Sequence, residues 1–136
     1  MINFKLILQL SMFGLAMAIA TVFWIPGNIE PFVWLPIFIF CAYMIAKKCN
    51  KYYFLHGFLV SCLNSLFITS AHIYFVYDYL QNHAAEMEMM QNYPEPLNIH
   101  PRWAMLIAGP VFGMAFGIIL GLFAFVASKM VKKTAQ

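Results

Sequence analysis

The sequence predicts an all-α integral membrane bundle of four transmembrane helices. Of the 136 residues, 63% are hydrophobic and only 10% are charged, whereas about a quarter of the residues in a soluble domain carry charge. Four apolar stretches approach the roughly 20 residues that a spanning helix needs. These stretches cover residues 6–25, 32–46, 53–80 and 103–128. Because little chain is left for a separate soluble core, residues 1–136 are predicted to form a single membrane domain.

The positive charges orient these spans. Lysines lie before the first span, between the second and third, and after the last: Lys5, Lys47, Lys48, Lys51, Lys129, Lys132 and Lys133. Since Lys and Arg are retained on the cytoplasmic side, both termini are predicted to be cytoplasmic. The carboxylates fall on or near the opposite side: Glu30, Asp78, Glu86, Glu88 and Glu95. The formal charge of +3 therefore reflects membrane orientation, and we expect no nucleic-acid partner.

The first span (6–25) presents small residues on one helical face. Ser11, Gly14 and Ala18 recur at steps of three and four residues, a pattern that favours helix packing in membranes. The stretch also resembles a cleavable signal peptide. Because the apolar run continues as far as Trp24, we expect it to be retained as a span.

The second span (32–46) is short and begins with prolines. Pro31 precedes it and Pro36 lies near its start, where a helix tolerates proline best. We expect a bent or tilted entry into the membrane.

The third span (53–80) carries the most informative pattern. Ser61, Ser65, Thr69 and His72 fall within one narrow helical stripe, and Asn64 lies about a quarter turn away. Polar side chains at bilayer depth are costly unless they pair across helices or line water. The stripe is predicted to be a packing surface, with hydroxyls bonded to their own preceding carbonyls and the histidine bonded to a neighbouring helix. The alternative is the polar path of a small oligomeric channel or transporter.

An outer helix-and-turn of about residues 81–102 follows the third span. Residues 82–90 lack Gly and Pro, so the third helix is predicted to extend beyond the membrane before a turn at residues 93–96. His83 and Glu86, with His100 nearby in sequence, are candidate ligands for an outer-face metal such as zinc or iron. Because a closed site needs several converging ligands, we expect no metal and no cofactor.

The fourth span (103–128) contains a glycine ladder with a strict four-residue repeat. Its members are Gly109, Gly113, Gly117 and Gly121. Small residues at this spacing let two helix backbones approach closely in a membrane, with either an internal helix or another copy as the partner. Pro110 removes one intrahelical hydrogen bond and is a candidate hinge.

No enzyme motif is found in the sequence. It contains no GxSxG, HExxH or glycine-rich phosphate loop, so we expect no catalytic residue and no enzymatic activity. Cys41, Cys49 and Cys62 show no metal-binding spacing and are predicted to be free thiols. No inverted repeat is detectable, which argues against an internally duplicated transporter, although copies of the chain could supply symmetry.

Several short stretches resemble small four-span bacterial membrane proteins of the domain-of-unknown-function type. They are residues 54–58 (FLHGF), 83–86 (HAAE), 100–102 (HPR) with 109–110 (GP), and 121–125 (GLFAF). The resemblance implies a four-span architecture in a bacterial inner membrane and carries no activity. We therefore expect a structural or accessory protein that assembles through its glycine ladder, either with itself or with other membrane subunits.

Overall fold

The computed structural model describes residues 1–92 and 99–131, except for the side chains of Met90 and Gln91. In the order of the chain, its helices are α1 (Phe4–Phe23), α2 (Glu30–Lys48), α3 (Tyr53–Tyr74), α4 (Val76–Asn82), α5 (Ala84–Gln91) and α6 (Pro101–Met130). The helices α1, α2, α3 and α6 are long and apolar enough to cross a membrane. The prediction of a helical, multi-pass membrane protein is thus confirmed. Glu95, Lys132, Lys133 and the turn predicted at residues 93–96 lie outside the described residues.

The helices α1 and α3 run in the same direction, and α6 runs antiparallel to α3. The backbone N–H of Asn3, just before α1, donates to His56 Nε2 at 2.9 Å near the start of α3. The end of α6 packs on the start of α3, since Leu120 lies beside Gly57. We call this the lysine end, after Lys5 and Lys51. The opposite end, where α1 and α3 finish and α6 begins, is the acidic end.

The third helix is shorter than the predicted span 53–80. It ends at Tyr74, and Phe75 leaves the helical conformation with φ −101° and ψ 37°. Instead of one extended helix, two short helices follow, with a corner at His83. The Nδ2 group of Asn82 donates to the carbonyl of Val22 at 2.6 Å. This bond ties α4 to the last turn of α1, where helix carbonyls lack intrahelical partners, and so draws the chain across the end of the bundle.

A buried apolar cluster joins the four long helices in the half nearer the lysine end. It includes Leu10 of α1, Ile45 of α2, Val60 of α3 and Leu120 of α6, all of which are at most 3% exposed. A smaller cluster packs α4 against the start of α6. Many large apolar residues on the outside are exposed, Phe112 among them at 62%. Such a surface suits a bilayer, which takes the place of water around the spans.

The cysteines play no part in cross-linking the bundle. Cys41, Cys49 and Cys62 are free thiols, as the sequence predicts. Burial raises the pKa of Cys49, which follows the end of α2. Since the thiolate is the reactive form, this thiol is kept in its unreactive state.

Candidate functional site

The half of the glycine ladder nearer the acidic end, Gly109 and Gly113, packs against α3 of the same chain. A Cβ added at Gly109 would collide with the side chain of Thr69. A Cβ at Gly113 would lie 2.5 Å from both Cβ and Oγ of Ser65. The absence of a side chain at these positions therefore lets two polar residues of α3 reach the α6 backbone.

The half of the ladder nearer the lysine end, Gly117 and Gly121, makes the closest backbone approach. A Cβ at Gly117 would lie 2.9 Å from the ring of Phe58. On the facing helix, a Cβ at Gly57 would lie 2.6 Å from the carbonyl oxygen of Leu120 and 2.9 Å from the Cα of Gly121. Gly57 therefore lies directly against the α6 backbone at Leu120 and Gly121, while Gly121 itself faces Phe54 of α3. The sequence left two possible partners for the ladder, an internal helix or another copy of the chain. In the structure, the partner on this face is the internal helix α3.

Two hydroxyls of the predicted polar stripe fasten α3 to α6. Ser65 Oγ donates to the carbonyl of Gly109 at 2.7 Å. Ser61 Oγ donates to the carbonyl of Gly113 at 3.4 Å. The expectation that these hydroxyls bond to their own preceding carbonyls is wrong for both serines. Because glycine has no side chain to shield its carbonyl, the hydroxyls of α3 can reach these acceptors on the neighbouring helix.

Replacing Ser65 with alanine should lower the free energy of unfolding by about 1 kcal/mol, the usual contribution of one hydrogen bond. The measurement is reversible unfolding in detergent, followed by circular dichroism. Ser70→Ala is the matched control, because Ser70 is exposed and should change stability by less than about 0.5 kcal/mol. Equal losses in the two variants would contradict the assigned role of the Ser65 hydroxyl.

His72, the last member of the stripe, and Asn64 beside the stripe face α1 rather than α6. Asn64 lies against Gly14, where a Cβ would come within 2.5 Å of its Cγ, and neither Nδ2 nor Oδ1 of this buried amide has a partner. His72 Nε2 lies 2.9 Å from Thr21 Oγ1. Since that hydroxyl donates to the carbonyl of Met17 at 2.8 Å, the histidine N–H is the donor between the two side chains. The predicted single stripe is therefore divided between two neighbouring helices, and Gly14 and Ala18 are both buried in α1.

A groove of about 300 Å³ lies between α3 and α6 beside Pro110. Ser65, Thr69 and Met114 also line it. α6 is helical on both sides of Pro110, so the structure contains one continuous helix there. Whether this proline acts as a hinge stays a prediction.

Three aromatic rings stack at the acidic end. The ring centroids of His72 and Tyr79 are 4.0 Å apart, with an interplanar angle of 27°. Those of Tyr79 and His83 are also 4.0 Å apart, at 19°. Nδ1 of His83 lies 2.9 Å from the carbonyl oxygen of Tyr79, an acceptor, so Nδ1 carries the hydrogen. In the neutral ring Nε2 is then a bare acceptor, and it is buried without a partner.

Two carboxylates lie close to this ring stack. A Cβ at Gly27 would be 2.9 Å from Glu86 Oε1 and 3.2 Å from His83 Cδ2, so both groups border the turn between α1 and α2. Glu30 Oε1 accepts the indole N–H of Trp34 at 3.0 Å. Burial, followed by the charges of Glu30 and Glu86, raises the pKa of Tyr79 well above its ordinary value. The phenol therefore stays protonated between its two histidines.

The three candidate metal ligands are not brought together. His83 and Glu86 both border Gly27, whereas His100 caps the start of α6, with its Nδ1 accepting the N–H of Arg102 at 3.3 Å. Within residues 1–92 and 99–131, no group of three or more His, Cys, Asp or Glu side chains could hold a metal ion.

The aromatic stack was missed by reasoning from the sequence, although a signal was available. Tyr79 follows His72 by seven residues and precedes His83 by four, a spacing that places the three on one helical face. The packing roles of Gly57 and His56 were also missed, because neither residue belongs to a repeat in the sequence.

No protein-family model, curated protein or solved structure matches this chain. The resemblance to small four-span bacterial membrane proteins therefore stays a prediction.

Proposed function

We propose that this chain is a structural or accessory protein of a bacterial inner membrane, associating with itself or with other membrane subunits. The observation that carries the proposal is the bond from Ser65 to the Gly109 carbonyl at 2.7 Å. It uses a polar group of the third span to join two helices. A conducting path would need such groups to face water or substrate.

The other polar groups of the third span support the same proposal. Ser61 also bonds to α6, Thr69 packs against Gly109, and His72 bonds to Thr21 of α1. These side chains stabilise helix contacts inside one chain. A polar path would need an opening shared by Ser61, Ser65, Thr69 and His72, whereas only Ser65 and Thr69 line the groove beside Pro110 and the other two side chains are buried.

The surface through which the protein assembles is proposed to exclude the glycine ladder. Because α3 covers the glycine face of α6, we propose that association uses another face of the bundle. We propose that the lysine end is cytoplasmic, supported by Lys5, Lys47, Lys48 and Lys51, because lysines are retained on that side of bacterial membranes.

The test is native mass spectrometry of the protein extracted gently from its own membrane. We expect a stable homo-oligomer or a complex with other membrane subunits. A monomer at every protein concentration would contradict the proposal. So would ion or solute flux through vesicles of the purified protein that His72→Ala abolishes without changing its thermal stability.

A further inference from the structure

The acidic end contains three hydrogen-bond acceptors with no matching cation. They are the bare Nε2 of His83 and the carboxylates of Glu30 and Glu86, and we call them the acceptor cluster. No lysine or arginine in the described part of the chain forms an ion pair with either glutamate. Arg102 instead lies over the ring of Tyr77, 6.0 Å from its centroid.

His83 is the buried member of this cluster, only 2% exposed. Its Nδ1–H is held by the carbonyl of Tyr79 at 2.9 Å and its ring is held by stacking on Tyr79. The direction of the Nε2 lone pair is therefore set by the fold. A buried acceptor that lacks a donor is unfavourable, so the geometry suits a ligand that donates a hydrogen bond.

The two carboxylates supply negative charge from two other elements. Glu86 of α5 lies beside Gly27 together with the Cδ2 edge of His83, and Cδ2 is bonded to Nε2. Glu30 opens α2, and its backbone N–H donates to the carbonyl of Pro26 at 3.2 Å, so it closes the same turn that contains Gly27. Both glutamates are only partly buried, so a ligand can approach them from water.

The acceptor cluster lies just beyond the spans. α1 ends at Phe23 and α3 at Tyr74, and His83 follows one short helix later. Trp24 and Trp103 are 74% and 62% exposed at the same end. Because tryptophan prefers the headgroup level of a bilayer, the cluster is placed where lipid headgroups lie.

We propose that the acceptor cluster binds a primary ammonium group, carried either by the ethanolamine headgroup of a lipid or by a soluble amine. A primary ammonium has three N–H donors and a positive charge. Two of the donors match the imidazole nitrogen of His83 and the carboxylate of Glu86, and Glu30 adds negative charge nearby. A quaternary ammonium has no N–H to donate to His83. A metal ion fits less well, since the described residues form no group of three suitable ligands.

The test compares lipids that differ only in N–H donors. Delipidated protein in detergent is mixed with equal amounts of a phosphatidylethanolamine and the phosphatidylcholine of the same acyl chains, and bound lipid is counted by native mass spectrometry. We expect wild-type protein to prefer the ethanolamine lipid by about tenfold, the effect of one charge-assisted hydrogen bond. Free ethanolamine is added as a competitor, so that binding of a soluble amine can be distinguished from binding of the lipid headgroup.

Two variants probe the cluster, and a third variant serves as the control. Glu86→Gln removes a charge, and His83→Phe keeps a stacking ring while removing the acceptor; each should reduce the lipid preference several-fold. Glu88→Gln, an exposed carboxylate of the same helix, should leave it unchanged. Glu86→Gln keeps the test valid if His83→Phe does not fold.

Each outcome decides the proposal. Preference for the ethanolamine lipid that Glu86→Gln weakens supports a lipid ligand, and binding of free ethanolamine with no lipid preference supports a soluble amine. Equal binding of both lipids with no binding of ethanolamine would overturn the proposal. Zinc binding that depends on His83, without any amine binding, would overturn it as well.

Discussion

Replacing Gly57 with alanine should destabilise the protein by about 2–3 kcal/mol, the upper range for inserting a methyl group into a filled contact. The new Cβ would meet the Leu120 carbonyl oxygen at 2.6 Å and the Cα of Gly121 at 2.9 Å. These are backbone atoms, which cannot rotate away, so α3 and α6 must separate. The loss should be measured as the free energy of unfolding in detergent.

The matched control is Gly27→Ala. There the nearest atom to the new Cβ is Glu86 Oε1 at 2.9 Å, the far end of a flexible side chain that can move aside. The next atom, Cδ2 of the buried His83 ring at 3.2 Å, must give by only a few tenths of an ångström. We therefore expect a smaller loss than for Gly57→Ala, below about 1 kcal/mol. If the two alanine variants were equally stable, the Gly57 contact would not be the close approach that holds α3 to α6.

Truncating His56 to alanine should cost about 2–4 kcal/mol, typical of removing a large buried side chain. His56 is 1% exposed. Its Nδ1 lies 2.7 Å from the carbonyl oxygen of Tyr52, so Nδ1 carries the hydrogen and Nε2 accepts the N–H of Asn3 at 2.9 Å. The variant loses this link between the starts of α1 and α3 and leaves a cavity between them.

Thermal unfolding and hydrogen exchange of the first turns of α1 measure this effect. We expect faster exchange near Leu6 in the variant, because the start of α1 is no longer held against α3. His100→Ala is the control, since His100 is exposed and makes one long cap bond. Unchanged exchange near Leu6 in the His56 variant would contradict the proposed link.

Several features of the fold could be predicted because they depend on residues close together in the chain. Span length and hydropathy located the four long helices, and the four-residue repeat from Gly109 to Gly121 indicated close helix contact. The predicted third span was too long because its hydropathy continues past Tyr74. Hydropathy contains no information about the backbone break at Phe75 or about the hydrogen bond from Asn82 to Val22 that accompanies it.

The partner of each side chain could not be predicted in the same way. Helical spacing grouped Ser65 and His72 on one stripe, yet Ser65 bonds to α6 and His72 to α1. A stripe on a helix surface spans the boundary between two neighbours, and the crossing geometry of those neighbours assigns each residue to one of them. Gly57 shows the same limit, since a single glycine becomes a contact site only when another backbone lies opposite.

The chain's membrane character and its number of spans follow from composition and order, because both arise from how each segment partitions between water and lipid. The pairing of the glycine ladder with α3, the buried link at His56 and the ring stack of His72, Tyr79 and His83 depend on residues distant in sequence. Such contacts form only when helices pack together. Because lipid is as apolar as the helix surfaces, the hydrophobic effect does not select one apolar face over another, and close packing and hydrogen bonds determine which faces meet.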